Sequence, residues 1–459
     1  MPRTDTPAAA GRTGLTAAQA HILAAQSADP SYAGHNVGQY IELVGPLDTA
    51  ALDEAVRRTL DEAPWLRSRL MTRGGLPRLD TSAAADPVGA AVELVRGQLA
   101  CPPRAELLTA TAGAGPAPDL TGALLVRVGR ERHLLVQYFH LLAVDGYGVA
   151  LLSRRIADVY TALVAGRPPG PTPFEPVSVL ADADRAYTGS AAQAADRRYW
   201  TERYADRPAP VSPAGRAAPA QDTARRHTVN LDAADSAAVR AAARSARVTW
   251  AEVVLATTAV RVTAQAGARE AVLAVYAAAR TGPGTLRVPA TAVNVLPVRL
   301  PVRGADTFRS LLHAAAGELT LLRRHQRLRG EELARELWPE YGGGRVPGPL
   351  VNLRPFETDL DFGGIRGRVV SLASGPVDDL SVSAGADADG RLRLDFDANP
   401  GLYEEGEPAR FARLFTDDLA ALCGAPDAPV ACLAGANPVP APAAAPGPGP
   451  PGPDSPAHH

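Results

Sequence analysis

From Asp206 to Asp222 the chain runs through Pro, Ala and Gly with no apolar period, and this interruption divides everything else. On either side lie stretches of roughly 200 residues, each enough for one hydrophobic core. In the first, Asp48 is placed to cap a helix reaching Leu60, with Leu47 as a hydrophobic staple. Leu124–Val128 and His133–Phe139 read as strands joined at Gly129-Arg130-Glu131. Leu152, Ile156, Val159, Tyr160 and Leu163 recur at helical spacing until Gly166 and Pro168 stop them. The second stretch repeats the mixture. Thr249 and Glu252 have capping-box spacing, Ala271–Tyr276 reads as a buried strand, and Phe308, Leu311, Leu312, Ala315, Leu319 and Leu322 share a helical face. Leu392, Leu394 and Phe396 alternate as a strand, and Phe411, Leu414, Phe415, Leu419 and Leu422 mark a final helix. Two such halves predict an α/β sandwich repeated twice. The expected division is a disordered leader at 1–12, an N-terminal half at 13–205, a linker at 206–222, a C-terminal half at 223–433 and a disordered Pro/Ala-rich tail at 434–459.

Composition removes several classes of function. The formal net charge of −2 provides no basic footprint for nucleic acid. All 47 basic residues are arginine, so neither a lysine Schiff base nor a GxxxxGK phosphate loop exists. Cys101, Cys423 and Cys432 form no CxxC pair and no metal spacing, and no metal site is expected. No apolar run approaches the ~18 residues of a membrane helix, and Met1–Arg12 lacks the apolar core of a signal peptide. The expectation is a monomeric cytoplasmic protein with no membrane and no nucleic-acid partner. His458 and His459 read as tail, and His21, His35, His313 and His325 as packing or surface residues. GxSxG is absent.

The segment with chemical content begins where strand His133–Phe139 runs into His140-Leu141-Leu142-Ala143-Val144-Asp145-Gly146-Tyr147-Gly148 and then a helix. A strand that ends in a polar, glycine-containing turn presents side chains at a sheet edge and lets a substrate come close.

Here the chain resembles the condensation domains of nonribosomal peptide synthesis, whose motif is two adjacent histidines, three residues, then Asp-Gly. His140, Asp145 and Gly146 match it, and the second histidine falls on Leu141. Other segments are similar to the family in order along the chain: Leu15-Thr-Ala-Ala-Gln19, Asp29-Pro30-Ser31 and Asn36, then Pro64-Trp65-Leu66-Arg67 and Arg198-Tyr199-Trp200. In the second half they are Ala279-Arg280-Thr281, Asn294-Val-Leu-Pro297 with Arg299, Asn352, Pro355-Phe356 and Ser374-Gly-Pro-Val-Asp378-Asp379-Leu380. The resemblance implies a pseudo-dimer of two chloramphenicol-acetyltransferase-like halves around a tunnel, with a floor loop and a latch in the second half. Peptidyl or acyl carrier proteins, or stand-alone synthetase modules, would deliver phosphopantetheine-tethered thioesters from both faces, and no cofactor would be bound. It also implies a structural ion pair of Asp145 with Arg280. Tyr147, Asn294, Asn352 and Asp378 are candidates for substrate contact, Asp378 standing where the family often has asparagine. With the tunnel halves filling residues 13–433, the protein is expected to be free-standing.

Leucine at position 141 accepts neither a proton nor a hydrogen bond, and general-base help is typically worth 10²–10⁴-fold. Three readings stay open. His140 could take over the base role, although neighbouring strand residues point to opposite faces. The protein could join or cyclise tethered groups by proximity alone, with backbone N–H groups near Gly146 stabilising an oxyanion. It could also be a catalytically silent platform that docks carriers or recruits a tailoring enzyme. A coenzyme-A-dependent acyltransferase of the same superfamily is the enzymatic alternative, and position 141 departs from its motif too.

Overall fold

The computed structural model describes residues 15–28, 33–67, 69–73, 76–80, 106–111, 121–219, 221, 223–341, 344–356 and 359–432. The leader at 1–12, the segment Asp29–Ser31, Asp222, Cys101 and the tail from 434 lie outside them. Within them the expected α/β architecture is present as two six-stranded sheets, each with helices packed on it.

The first sheet runs in the order Leu360–Phe362, Ile365–Ser374, Asn36–Val44, Arg132–His140, Thr121–Gly129, Glu106–Thr111. Its neighbours are all antiparallel. Two of its strands come from the second half of the chain. Ile365–Ser374 lies beside Asn36–Val44, so the late segment closes onto the early sheet. The second sheet runs Arg225–Asn230, Leu392–Ala398, Leu380–Ala386, Leu350–Arg354, Glu270–Ala277, Asn294–Pro301. Leu350–Arg354 is parallel to both of its neighbours.

Local signals account for many helix boundaries. Asp48 accepts the Ala51 N–H at 2.9 Å and opens the helix Thr49–Asp61. Thr249 and Glu252 form the reciprocal capping box of the helix Trp250–Ala266. That helix is buried continuously from Ala251 to Thr263, because the second sheet and neighbouring helices enclose it. Its Arg261 reaches Asp418 at 3.1 Å inside the core. The 206–219 segment forms no helix or strand, and Gln221 makes an isolated bridge to Val377.

Candidate functional site

Strand Arg132–His140 and helix Gly146–Val164 frame the motif. Asp145 is the N-cap of that helix and is 2 % exposed. Its Oδ1 accepts from the Gly148 N–H at 2.9 Å and from Arg280 Nη2 at 3.1 Å. Its Oδ2 accepts from Arg280 Nη1 at 2.9 Å, the Ala292 N–H at 2.9 Å and the Val293 N–H at 3.0 Å. Arg280 in turn donates to the carbonyls of Ala278 at 3.1 Å and Ala290 at 2.5 Å, and its guanidinium lies 4.7 Å from the Tyr147 ring centre. A carboxylate enclosed in this way is a tie between the two halves of the chain: the helix comes from the first, the donors of Oδ2 from the second. Gly148 is needed at the same contact. A Cβ there would lie 2.4 Å from Val144 Cγ2 and 3.2 Å from the backbone at Pro289 and Ala290.

The other end of the motif divides sharply between its two residues. His140 Nδ1 accepts the Leu142 N–H at 3.0 Å, which places the ring proton on Nε2, facing Gln26 Oε1 at 3.3 Å. Burial lowers its pKa to about 4. His35 packs against it with ring centres 5.9 Å apart and shares Gln26 Oε1 at 2.8 Å. Its pKa is also lowered to about 4, first by burial and then by His140, Arg345 and His21. His140 lines neither of the two cavities described next.

Leu141 lines both. A cavity of about 140 Å³ extends from it toward the helix Ala17–Ala28 and is bordered by His21, Arg329, Glu331, Arg345 and Asp378. These are mutually paired: Arg329 grips Glu331 at 2.7 and 3.0 Å, His21 lies 3.6 Å from Glu331, and Arg345 pairs with Asp378. Burial pushes the Glu331 carboxyl up, but Arg329 and His21 outweigh it and hold its pKa below the ordinary value. On the other side, a cavity of about 470 Å³ is bordered by Val37, Leu319, Leu322, Tyr147, Asn352 and Phe356, with Asp145, Gly146 and Arg280 at its inner wall. Leu141, Tyr276 and Val293 border both spaces and form the waist between them.

The candidate residues thus separate into groups. Gly146, Tyr147, Asn352, Asp145 and Arg280 gather at the larger cavity, and Asp378 at the smaller. Asn294 belongs to neither. Its Nδ2 donates to the carbonyls of Gln326 and Leu328 at 2.9 and 2.7 Å, and its Oδ1 accepts from Val295 and Gly330. The substrate contact expected of Asn294 is therefore replaced by a clamp on the Gln326–Gly330 segment, which satisfies a buried amide completely. His21, Arg329, Glu331, Arg345 and Tyr276 were not singled out from the sequence as site residues. They come from three stretches, at His21, at Tyr276 and from Arg329 to Arg345, and only Tyr276, a polar residue closing an apolar strand run, carries a local sign.

Among the described residues, no group of three or more His, Cys, Asp or Glu is placed to hold a metal ion, and no helix is long and apolar enough to cross a membrane.

The family model for the condensation domain matches residues 10–437. The isonitrile lipopeptide synthase of Streptomyces coeruleorubidus is 36% identical over 431 residues, covering 91% of this chain and 29% of that protein. The dimodular nonribosomal peptide synthase of Bacillus subtilis (strain 168) is 36% identical over 407 residues, covering 86% of this chain and 17% of that protein. The chain thus spans less than a third of the length of either relative. Among solved structures, the first condensation domain of the calcium-dependent antibiotic synthetase in complex with a substrate analogue superposes with a TM-score of 0.81 at 31% identity, covering 92% of this chain and 98% of that one. A variant of the starter condensation domain of rhizomide synthetase in complex with C8-CoA superposes with a TM-score of 0.80 at 30% identity, covering 91% and 96%. Motif, paired sheets and matched length agree, and the chain belongs to the condensation domain family of nonribosomal peptide synthesis.

Proposed function

We propose that this chain joins an acyl group carried as a thioester to an amine at the waist between the two cavities, by holding the reactants together and without a proton acceptor at position 141. The observation that carries this reading is that Leu141 borders both cavities, so two reactants entering from opposite sides meet at its side chain. The larger space, walled by Val37, Leu319, Leu322 and Phe356, suits an acyl chain. The smaller, which meets the larger at Leu141, is read as the place of the amine-bearing acceptor. A neutral amine attacks a thioester readily once oriented, and effective molarities for oriented pairs reach about 10⁵ M or more. Asp145 and Arg280 have a structural role, locking the halves so that the waist keeps its width.

The donor is read as a phosphopantetheine thioester on a peptidyl or acyl carrier protein or a synthetase module. The related starter domain held in complex with C8-CoA supports a coenzyme-A-linked donor as the alternative source. His140 as the base is disfavoured because both ring nitrogens already face partners beneath the first helix.

The test loads a carrier with an acyl group, supplies an amine acceptor and follows amide formation in wild type, Leu141→His and His140→Ala. The expected result is turnover in wild type, turnover in His140→Ala within about threefold of it, and a gain of at least tenfold in Leu141→His. Carrier binding with no product from wild type would move the assignment to a docking or recruitment platform.

A further inference from the structure

In the wall of the larger cavity stands an amide that the protein uses at one end. Gln39 borders that cavity together with Val37, which precedes it by two residues on strand Asn36–Val44. Gln39 is 7 % exposed. Its Nε2 donates to Gln137 Oε1 at 2.7 Å and to Ser153 Oγ at 3.0 Å, and Ser153 Oγ donates to the same Gln137 oxygen at 3.0 Å. Gln137 and Ser153 are buried, so this triangle lies behind the wall. Both protons of Gln39 Nε2 are engaged there. Oε1 is left over, and it accepts from no group among the described residues. The sheet is irregular at this point. Gly38 faces Ala373 and Gln39 faces Ser371 of strand Ile365–Ser374, so the register slips by one residue between them. Such a slip re-aims a side chain and is frequent beside binding sites. The other buried polar side chains on the border of the cavity are paired. Asp145 and Arg280 hold each other, and Arg354 reaches Asp395 at 3.1 Å.

We infer that Gln39 Oε1 accepts a hydrogen bond from a secondary-amide N–H of the donor, so that Gln39 is the residue by which the larger cavity selects donors that carry an amide. This rests on the reading above that the larger cavity receives the donor. A buried carbonyl oxygen without a partner is costly, so its partner comes from what fills the cavity. An N–H supplies that partner, and an ester oxygen in the same place does not. In a cavity walled mostly by apolar side chains, a few fixed polar groups set the orientation of the ligand. Two parts of a donor offer such an N–H. One is an amide within the acyl group, as in an N-acylated aminoacyl or peptidyl chain. The other is an amide of the pantetheine arm that carries it.

The experiment measures binding, which reads Gln39 separately from turnover. Thioether analogues, with a methylene in place of the thioester carbonyl, bind without reacting. Two pairs are compared by calorimetry in wild type and Gln39→Met, with Gln39→Asn in place of the latter if methionine is not tolerated. In the first pair, on pantetheine, the acyl group is N-hexanoylglycyl or its ester counterpart hexanoyloxyacetyl. In the second, an octanoyl group is carried on N-acetylcysteamine or on the matching ester of 2-mercaptoethanol. Wild type is expected to bind the amide member of one pair about tenfold more tightly than the ester member. A preference in the first pair places the N–H in the acyl group, and a preference in the second places it in the arm. The variant, with no amide or one too short to reach, is expected to bind the two members within about twofold of each other. Each ratio is taken within one protein, so the stability lost with the Gln137 and Ser153 bonds does not enter it. Equal binding by wild type in both pairs overturns the inference, and so does a preference that survives in the variant. A tenfold preference in a wild type that forms no amide from the matching thioesters keeps Gln39 as the selecting residue and removes the amide-forming reading alone.

Discussion

The two ends of the segment His140–Gly146 are held in opposite ways. At Asp145 five donors converge on one carboxylate and tie the first half of the chain to the second. At Leu141 the backbone N–H donates to His35 O at 2.8 Å and the carbonyl accepts from Thr291 Oγ1, while the side chain packs on the Ile22, Leu23 and Leu142 cluster and borders both cavities. A fold can therefore keep the framework of a motif intact while the side chain between the two cavities changes its chemistry. In the function proposed above, the framework is a matter of stability and the waist a matter of rate.

That division is broken most severely at Asp145. Asp145→Ala leaves the Arg280 guanidinium, whose side chain is 0 % exposed, without its counter-charge. The expected loss is about 3–5 kcal/mol, as for other buried pairs with one partner removed. Denaturant unfolding should show it as a lower midpoint. An Asp145→Ala variant that unfolds like wild type and loses only rate would move Asp145 from framework to chemistry.

A pH-dependent effect belongs to the histidines beside the waist. His35 and His140 are held neutral chiefly by burial, with pKa values near 4 against about 6.5 in an unfolded chain. As pH drops below about 6.5 the unfolded chain takes up protons first, so folding is progressively disfavoured. Their contribution is complete above that range and is lost as pH falls toward 4. Thermal unfolding from pH 7 to pH 4 should show a steeper decline in wild type than in the double variant His35→Gln, His140→Gln. Equal slopes would show that the two rings titrate normally.

Much of the framework was legible because its signals are local. Asp48 announces its helix, Thr249 with Glu252 another, and Gly129-Arg130-Glu131 the turn between Thr121–Gly129 and Arg132–His140. The pairing of Ile365–Ser374 with Asn36–Val44 was not, because a partner more than 300 residues away leaves no periodicity in either strand. The Asp145–Arg280 pairing was reached through family resemblance, since spacing carries no trace of it. The smaller cavity shows the same limit. His21, Glu331, Arg345 and Asp378 are ordinary surface-type residues in sequence and meet only through folding. Asn294 shows the converse, a polar residue in a family-like segment whose amide is taken up entirely by the neighbouring backbone.

The most direct measurement is the rate of amide formation by wild type from pH 6 to pH 9, with donor and acceptor both saturating. Catalysis by proximity at an apolar waist predicts a rate that follows the ionisation of the acceptor amine alone, unchanged in His140→Ala. A wild-type inflection in the histidine range that disappears in His140→Ala would contradict the account.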